Sequence, residues 1–189
     1  MHGNAHLPIM VGAAKRYEIT GVPLYRTIVR NFLAILDRTQ SFASGGTTFG
    51  EHWGAGNLGG IASGVEGWGM DSQEMCTTYN LLLVIKHAFG WATDAAERVV
   101  LADHYEWTLR NAILLVQKPN DPGRMLYMLP HGPFMNGTPT RKADAGGGGG
   151  WSTWNTSYWC CTGTGAESFA RLGEAIYFQN KLDDAVYGG

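Results

Sequence analysis

The stretch Pro23–Leu36, which reads PLYRTIVRNFLAIL, decides the fold class. Its apolar side chains recur at positions i, i+3, i+4 and i+7, which is the spacing of one buried stripe on a helix: Tyr25, Ile28, Val29, Phe32 and Leu36. Pro23 suits the first turn of this helix, and Gly21 suits the end of the helix before it. The stretch therefore predicts the second helix of a helical hairpin.

Four other segments have helical patterns, at residues 7–19, 71–89, 94–116 and from 164 onward. Two predicted starts have capping signals: Asp71 with Glu74 three residues later, and Thr164 with Glu167. Residues 125–129 are an exception, because they could form a short strand. Successive amphipathic helices with little strand signal predict an all-α protein.

The composition excludes several classes of protein. The formal net charge is -2 and charged residues make up 16% of the chain, so there is no electrostatic basis for nucleic acid binding. The longest strongly apolar stretch, Leu81–Ile85, is far too short to span a bilayer, so no membrane partner is predicted. Residues 1–6, MHGNAH, lack the basic and apolar regions of a signal peptide, and the compartment is left open.

The chain has three cysteines, and they occur in two short motifs. Cys76 belongs to Glu74-Met75-Cys76, whereas Cys160 and Cys161 belong to WCCTGTG at residues 159–165. Each motif lies at a predicted helix start, where the helix dipole favours thiolates, and three thiolates with one carboxylate could complete a tetrahedral zinc shell. Residues two apart do not share a helix face, so Glu74 and Cys76 can bind one ion only where the backbone is not yet helical. The alternative is three buried core thiols.

Glu51 is the candidate general acid. It lies in GGTTFGEHW at residues 45–53, and a carboxylic acid in a glycine-rich, Trp-flanked loop can have a raised pKa. The alternative is a solvated loop carboxylate. His2 suits either a ligand contact or a partly exposed position, and Tyr127 suits either the core or a cleft.

These motifs, in this order, resemble glycoside hydrolase family 127, the β-L-arabinofuranosidase group once classed as domain of unknown function 1680. The resemblance extends along almost the whole chain. The segments that establish it are HGNAH at 2–6, GAAKRYE at 12–18, GGT and GE at 45–51, EMCTTYN at 74–80, YE at 105–106, NAIL at 111–114 and WCCTGTGAE at 159–167.

The resemblance implies a fold and a domain organisation. The family's catalytic domain is an (α/α)6 barrel followed by β-sandwich domains, in members several hundred residues long. Residues 1–189 are therefore expected to be a fragment of one barrel domain. The N-terminal part of the barrel and the C-terminal β-sandwich domains are expected to be absent.

The resemblance also implies a mechanism. Cys160 would be the nucleophile, and Glu51 the general acid/base, of a retaining hydrolase that releases L-arabinofuranose from β-L-arabinofuranosides. One zinc ion, the implied cofactor, would have four ligands: Glu74, Cys76, Cys160 and Cys161.

Two further residues are implied to contact the substrate, an arabinofuranoside carbohydrate. His2 and Tyr127 would line the sugar subsite. The alternative function is a catalytically inactive fragment that binds carbohydrate or holds a structural zinc, with Cys160 unreactive.

Overall fold

The computed structural model describes residues 1–48, 51–54, 72–130, 151–153 and 158–177. Within these ranges the all-α prediction is confirmed, with one small two-stranded sheet. The elements are α1 (Gly3–Thr20), α2 (Pro23–Thr39), β1 (Ser72–Glu74), α3 (Met75–Trp91), α4 (Ala95–Thr108), β2 (Met128–Pro130) and α5 (Cys160–Ala170). None of the described helices is long and apolar enough to cross a membrane.

Helices α1 and α2 form the predicted hairpin. Gly21 ends α1 in the left-handed conformation, with φ of 68°, and its N–H donates to the Tyr17 carbonyl at 2.8 Å. Pro23 then begins α2, where its fixed φ suits the first helical position. The boundary between the helices is therefore set by two local residues, although α1 begins at Gly3, earlier than predicted.

Helix α3 is the centre of the core, and α1, α4 and α5 all pack against it. Nine of its residues are buried, from Met75 to Ala88. Helix α1 adds Leu7 and Ala14, and α2 packs mainly on α1. The arrangement is of helical hairpins side by side, and the complete barrel remains a prediction.

The start of α3 differs from the prediction. The helix begins at Met75, directly after β1, and Asp71 lies outside the described residues. Strands β1 and β2 pair antiparallel with Glu74 opposite Met128, so the predicted strand at 125–129 is confirmed in part. The pairing brings the residues before α3 beside a segment more than fifty positions away in sequence.

Helix α5 begins one turn earlier than the capping signal predicted. Its first residue is Cys160, and Thr164 lies inside the helix, where its hydroxyl donates to the Cys160 carbonyl at 2.9 Å. The buried side of α5 includes Gly165 and Ser168. Ile176 lies beyond the end of the helix and is half-exposed.

The fourth helical segment spans the predicted residues but changes type along its length. Asp94 caps α4 by accepting the Glu97 N–H at 3.2 Å. After Thr108 the chain continues as a π-helical turn over Leu109–Ile113 and a 3₁₀ turn over Leu114–Val116.

Two glycine substitutions should affect stability in opposite directions. Gly45 has a φ of 88°, and a Cβ there would lie 2.0 Å from Thr108 Oγ1 and 3.1 Å from Thr108 Cα. Gly45→Ala should therefore lower the free energy of unfolding by about 2 kcal/mol or more. Gly12, exposed on α1 with open space beside it, is the matched control, and Gly12→Ala should raise stability by about 0.5–1 kcal/mol.

Urea unfolding of both variants is the measurement. A Gly45→Ala protein as stable as the wild type would contradict the close approach of this loop to Thr108.

Candidate functional site

The three cysteine sulfurs form one cluster where α3 and α5 begin. Their Sγ atoms are separated by 3.2 Å for Cys76–Cys161, 3.6 Å for Cys76–Cys160 and 3.9 Å for Cys160–Cys161. Cys76 and Cys161 are fully buried, whereas Cys160 is exposed. Two inaccessible sulfurs beside an accessible one form a site that could hold a metal ion and leave one ligand open to a substrate.

The cluster changes how readily each thiol ionises. Hydrogen bonding with Cys161, followed by burial, raises the pKa of Cys76. Burial likewise raises the pKa of Cys160. Hydrogen bonding with the Cys76 side chain, together with the Cys76 N–H that donates to Cys161 Sγ at 3.4 Å, lowers the pKa of Cys161. Cys161 is therefore the most readily ionised of the three thiols, and a bound cation would favour ionisation of all three.

Glu74 lies beside the cluster as a fully buried carboxylate. It is the last residue of β1 and has an extended backbone, whereas Cys76 lies in α3. Binding of one ion by both residues requires that they not lie in the same helix, and this condition is met. One carboxylate oxygen accepts the Glu51 N–H at 2.7 Å, and the other accepts the Thr48 hydroxyl. Burial raises the pKa of Glu74. The potential ligand atoms that lie within 4.8 Å of one another are the sulfurs of the three cysteines, and the Glu74 oxygens are not part of that set.

Glu51 is held by contacts at both oxygens of its carboxylate. Oε1 accepts the Tyr127 hydroxyl at 2.8 Å, and Oε2 lies 3.5 Å from His2 Nε2. The start of α1 positions His2, since the Gly3 N–H donates to the Glu51 carbonyl at 2.8 Å. The Glu51 side chain remains 31% exposed, so a ligand can reach it.

Tyr127 connects the two halves of the site. Its hydroxyl donates to Oε1 of Glu51 at 2.8 Å. Burial, followed by the nearby Cys160 thiol and then the Glu51 carboxylate, raises the pKa of Tyr127. The Met75 N–H donates to the Tyr127 carbonyl at 3.4 Å, which places this tyrosine beside the start of α3.

The structure therefore brings all seven sequence-predicted residues into one connected group. His2 and Tyr127 contact the Glu51 carboxylate, the Glu51 backbone contacts Glu74, and Glu74 lies two residues before Cys76, whose sulfur contacts the other two cysteines. The full set is His2, Glu51, Glu74, Cys76, Tyr127, Cys160 and Cys161.

Backbone strain is concentrated at the same place. Among the described residues other than glycine, positive φ occurs at Thr48 and Glu51, both at 68°, and at Cys160, at 41°. Such conformations cost of order 1–3 kcal/mol each and cluster at active sites. All three residues belong to this group or contact it directly.

Sequence analysis missed two threonines of the site. Thr48 is 1% exposed and contacts both Glu74 and Thr77, with 2.9 Å between the two threonine Oγ1 atoms. Thr77 also donates to the Glu74 carbonyl at 3.0 Å. The only sequence signal for a role of Thr48 in the site was its position three residues before Glu51. A threonine in a loop has no pattern that distinguishes it.

A helical domain with a cysteine cluster beside a hydrogen-bonded glutamate is consistent with the catalytic domain of a glycoside hydrolase. Residues 1–174 match the family model described as beta-L-arabinofuranosidase, GH127 catalytic domain. The chain therefore belongs to glycoside hydrolase family 127. None of the curated proteins compared with the chain matches it.

Proposed function

We propose that this protein is a retaining glycoside hydrolase that releases L-arabinofuranose from β-L-arabinofuranosides, with Cys160 as nucleophile and Glu51 as acid/base. One observation supports this most directly: the Tyr127 hydroxyl donates to the Glu51 carboxylate at 2.8 Å, and the Cys160 thiol is near enough to Tyr127 to raise the pKa of that phenol. Tyr127 is thus a common neighbour of both groups, which would let both reach the same sugar carbon. A retaining mechanism needs such closeness, because its two catalytic groups are only about 5–5.5 Å apart.

The donor set supports zinc as the ion at the cysteine cluster. Four ligands at a Zn–S distance of about 2.3 Å in a tetrahedron place sulfurs about 3.8 Å apart. The sulfur separations of 3.2, 3.6 and 3.9 Å are close to this value. The ligands would be the three cysteines together with Glu74. When bound, zinc would supply the positive charge that keeps the Cys160 sulfur ionised near neutral pH.

In the first step, Cys160 Sγ attacks the anomeric carbon of the sugar. A carbon–sulfur bond forms as the bond to the leaving oxygen breaks, and Glu51 donates a proton to that oxygen. Since Oε1 of Glu51 accepts the Tyr127 hydroxyl, we place the transferred proton on Oε2.

In the second step, water attacks the same carbon from the face that the leaving group vacated. Glu51, now ionised, takes a proton from this water, and the carbon–sulfur bond breaks to return the Cys160 thiolate. Two inversions at one carbon give overall retention. The sequence of proton transfers returns Glu51 to its starting protonation state.

His2 and Tyr127 have positioning and substrate roles in this proposal. Their contacts at opposite oxygens of Glu51 fix the carboxylate plane. His2 is also partly exposed, with 39% of its side chain accessible, so it can contact a sugar hydroxyl.

Metal analysis tests the zinc assignment. Purified protein should contain about one zinc per chain, and Cys76→Ala should lose most of it, because Cys76 is fully buried against both other sulfurs. Elemental analysis gives the stoichiometry.

Ser168→Ala is the matched control for this test. Ser168 is buried on α5, and its hydroxyl donates to the Gly165 carbonyl rather than to the cluster, so zinc content should be unchanged. A wild-type protein without zinc, or a Cys76→Ala protein with full zinc, would contradict the assignment.

A further inference from the structure

Thr48 lies where the Glu51 loop contacts the proposed metal ligands. Its side chain is almost completely buried, and its Oγ1 lies within hydrogen-bond distance of Oε2 of Glu74 and, at 2.6 Å, of the Thr47 carbonyl. The other oxygen of the same carboxylate accepts the Glu51 N–H at 2.7 Å. A single buried carboxylate therefore contacts the acid/base loop at two points, Thr48 and Glu51.

The surroundings leave Thr48 little freedom to move. A Cβ placed on Gly3, at the start of α1, would lie 2.2 Å from the Thr48 methyl, so glycine there allows α1 to pack directly on this side chain. On the other side, Thr77 Oγ1 lies 2.9 Å from Thr48 Oγ1. The hydroxyl is thus directed at Glu74 by contacts with two helices, α1 and α3.

The backbone at Thr48 is itself unusual. A β-branched residue with a φ of 68° is strained, and Glu51 has the same φ. Such strain persists only where the surrounding contacts determine the conformation. Both residues contact the Glu74 carboxylate, Thr48 through its hydroxyl and Glu51 through its N–H.

We propose that Thr48 is a positioning residue, whose hydroxyl orients the Glu74 carboxylate for the metal and thereby couples metal binding to the placement of Glu51. This inference rests on the proposed function. Groups that hydrogen-bond to a metal ligand orient it, and their loss typically costs 10–100-fold in metal affinity.

The test compares zinc affinity among variants of the full chain, measured by competition with a chromogenic chelator. Thr48→Val keeps the branched shape and removes the hydroxyl, so its zinc affinity should fall by about 10–100-fold. Thr48→Ser keeps the hydroxyl and should remain within about 3-fold of the wild type. This rescue by serine separates an orienting hydroxyl from a merely well-packed side chain.

Thr47→Val is the matched control. Thr47 is the neighbouring residue and is equally buried, but its hydroxyl donates to the Gln40 carbonyl at 2.6 Å instead of to Glu74. Thr47→Val should lose stability while keeping wild-type zinc affinity. Thr48→Val and Thr47→Val with equal affinities would overturn the proposal.

A further pair of variants keeps the test decisive if Thr48→Val does not fold. Thr48→Ala relieves crowding while still removing the hydroxyl, so its affinity should fall well below that of Thr48→Ser. Equal affinities for alanine and serine would overturn the role of Thr48. If the wild-type chain bound no zinc, the proposed function would itself fail, and this inference with it.

Discussion

Cys160→Ser should reduce the hydrolysis of a chromogenic β-L-arabinofuranoside by at least about 10⁴-fold in kcat/KM. A serine hydroxyl is a far weaker nucleophile than a thiolate, and the two other thiols, Cys76 and Cys161, are fully buried. The initial rate of chromophore release measures the effect. The same variant should also fail to form a covalent adduct with an arabinofuranose analogue that has an electrophile at its anomeric carbon.

Intact-protein mass spectrometry separates this mechanism from a structural metal site. The wild-type protein should gain the mass of one analogue, and peptide mapping should place it on Cys160. Thr164→Ala is a suitable control, since Thr164 lies one turn along α5 and its hydroxyl contacts only the Cys160 carbonyl among the interactions described. Unlabelled wild-type protein with no hydrolytic activity would favour the inactive carbohydrate-binding or structural alternative, whereas Cys160→Ser at near wild-type activity would refute Cys160 as the nucleophile.

Glu51→Gln should lower kcat by about 10²–10⁴-fold on substrates with a poor leaving group. Glutamine keeps the shape and can still accept the Tyr127 hydroxyl, but it has no proton to donate to the leaving oxygen. With an activated phenol as leaving group, the first step needs little protonation. The loss should then be smaller, and the covalent intermediate should accumulate as an initial burst.

Azide provides a second measurement on Glu51→Gln. As an anion that needs no general base, azide should attack the intermediate and restore turnover while forming a glycosyl azide of retained configuration. Glu106→Gln is the control, because Glu106 is exposed on α4, where its carboxylate pairs with Arg110 at 2.7 Å. Full activity in Glu51→Gln on poor leaving groups would refute the acid/base assignment.

Local signals predicted most of the helices. Gly21 and Pro23 fix the junction of α1 and α2 through their own backbone preferences, and Asp94 caps α4 through a residue three positions away. The start of α5 was predicted wrongly because the prediction used only local signals of this kind. Thr164 has a capping pattern, but its hydroxyl bonds within the helix, and α5 begins at Cys160 through contacts with a distant helix.

The site was predicted through its motifs, and its geometry depends on tertiary contacts. Glu74 and Tyr127 lie close together because β1 pairs with β2. Each strand has three residues, which is too short for a clear strand pattern in the sequence. Thr48 was missed because the partner of its hydroxyl lies 26 positions away. A residue whose role is set by a distant partner has no local pattern by which to recognise it.

The contact between Cys76 and Cys161 also has a topological consequence. The two residues are 85 positions apart in sequence, yet their sulfurs are 3.2 Å apart. An ion bound to both closes a loop of that length, and a covalent link of similar span reduces the entropy of the unfolded chain by an amount worth roughly 4–5 kcal/mol. The proposed metal site would then also act as a reversible cross-link between the start of α3 and the start of α5, so that a chelator could loosen the fold without breaking a covalent bond.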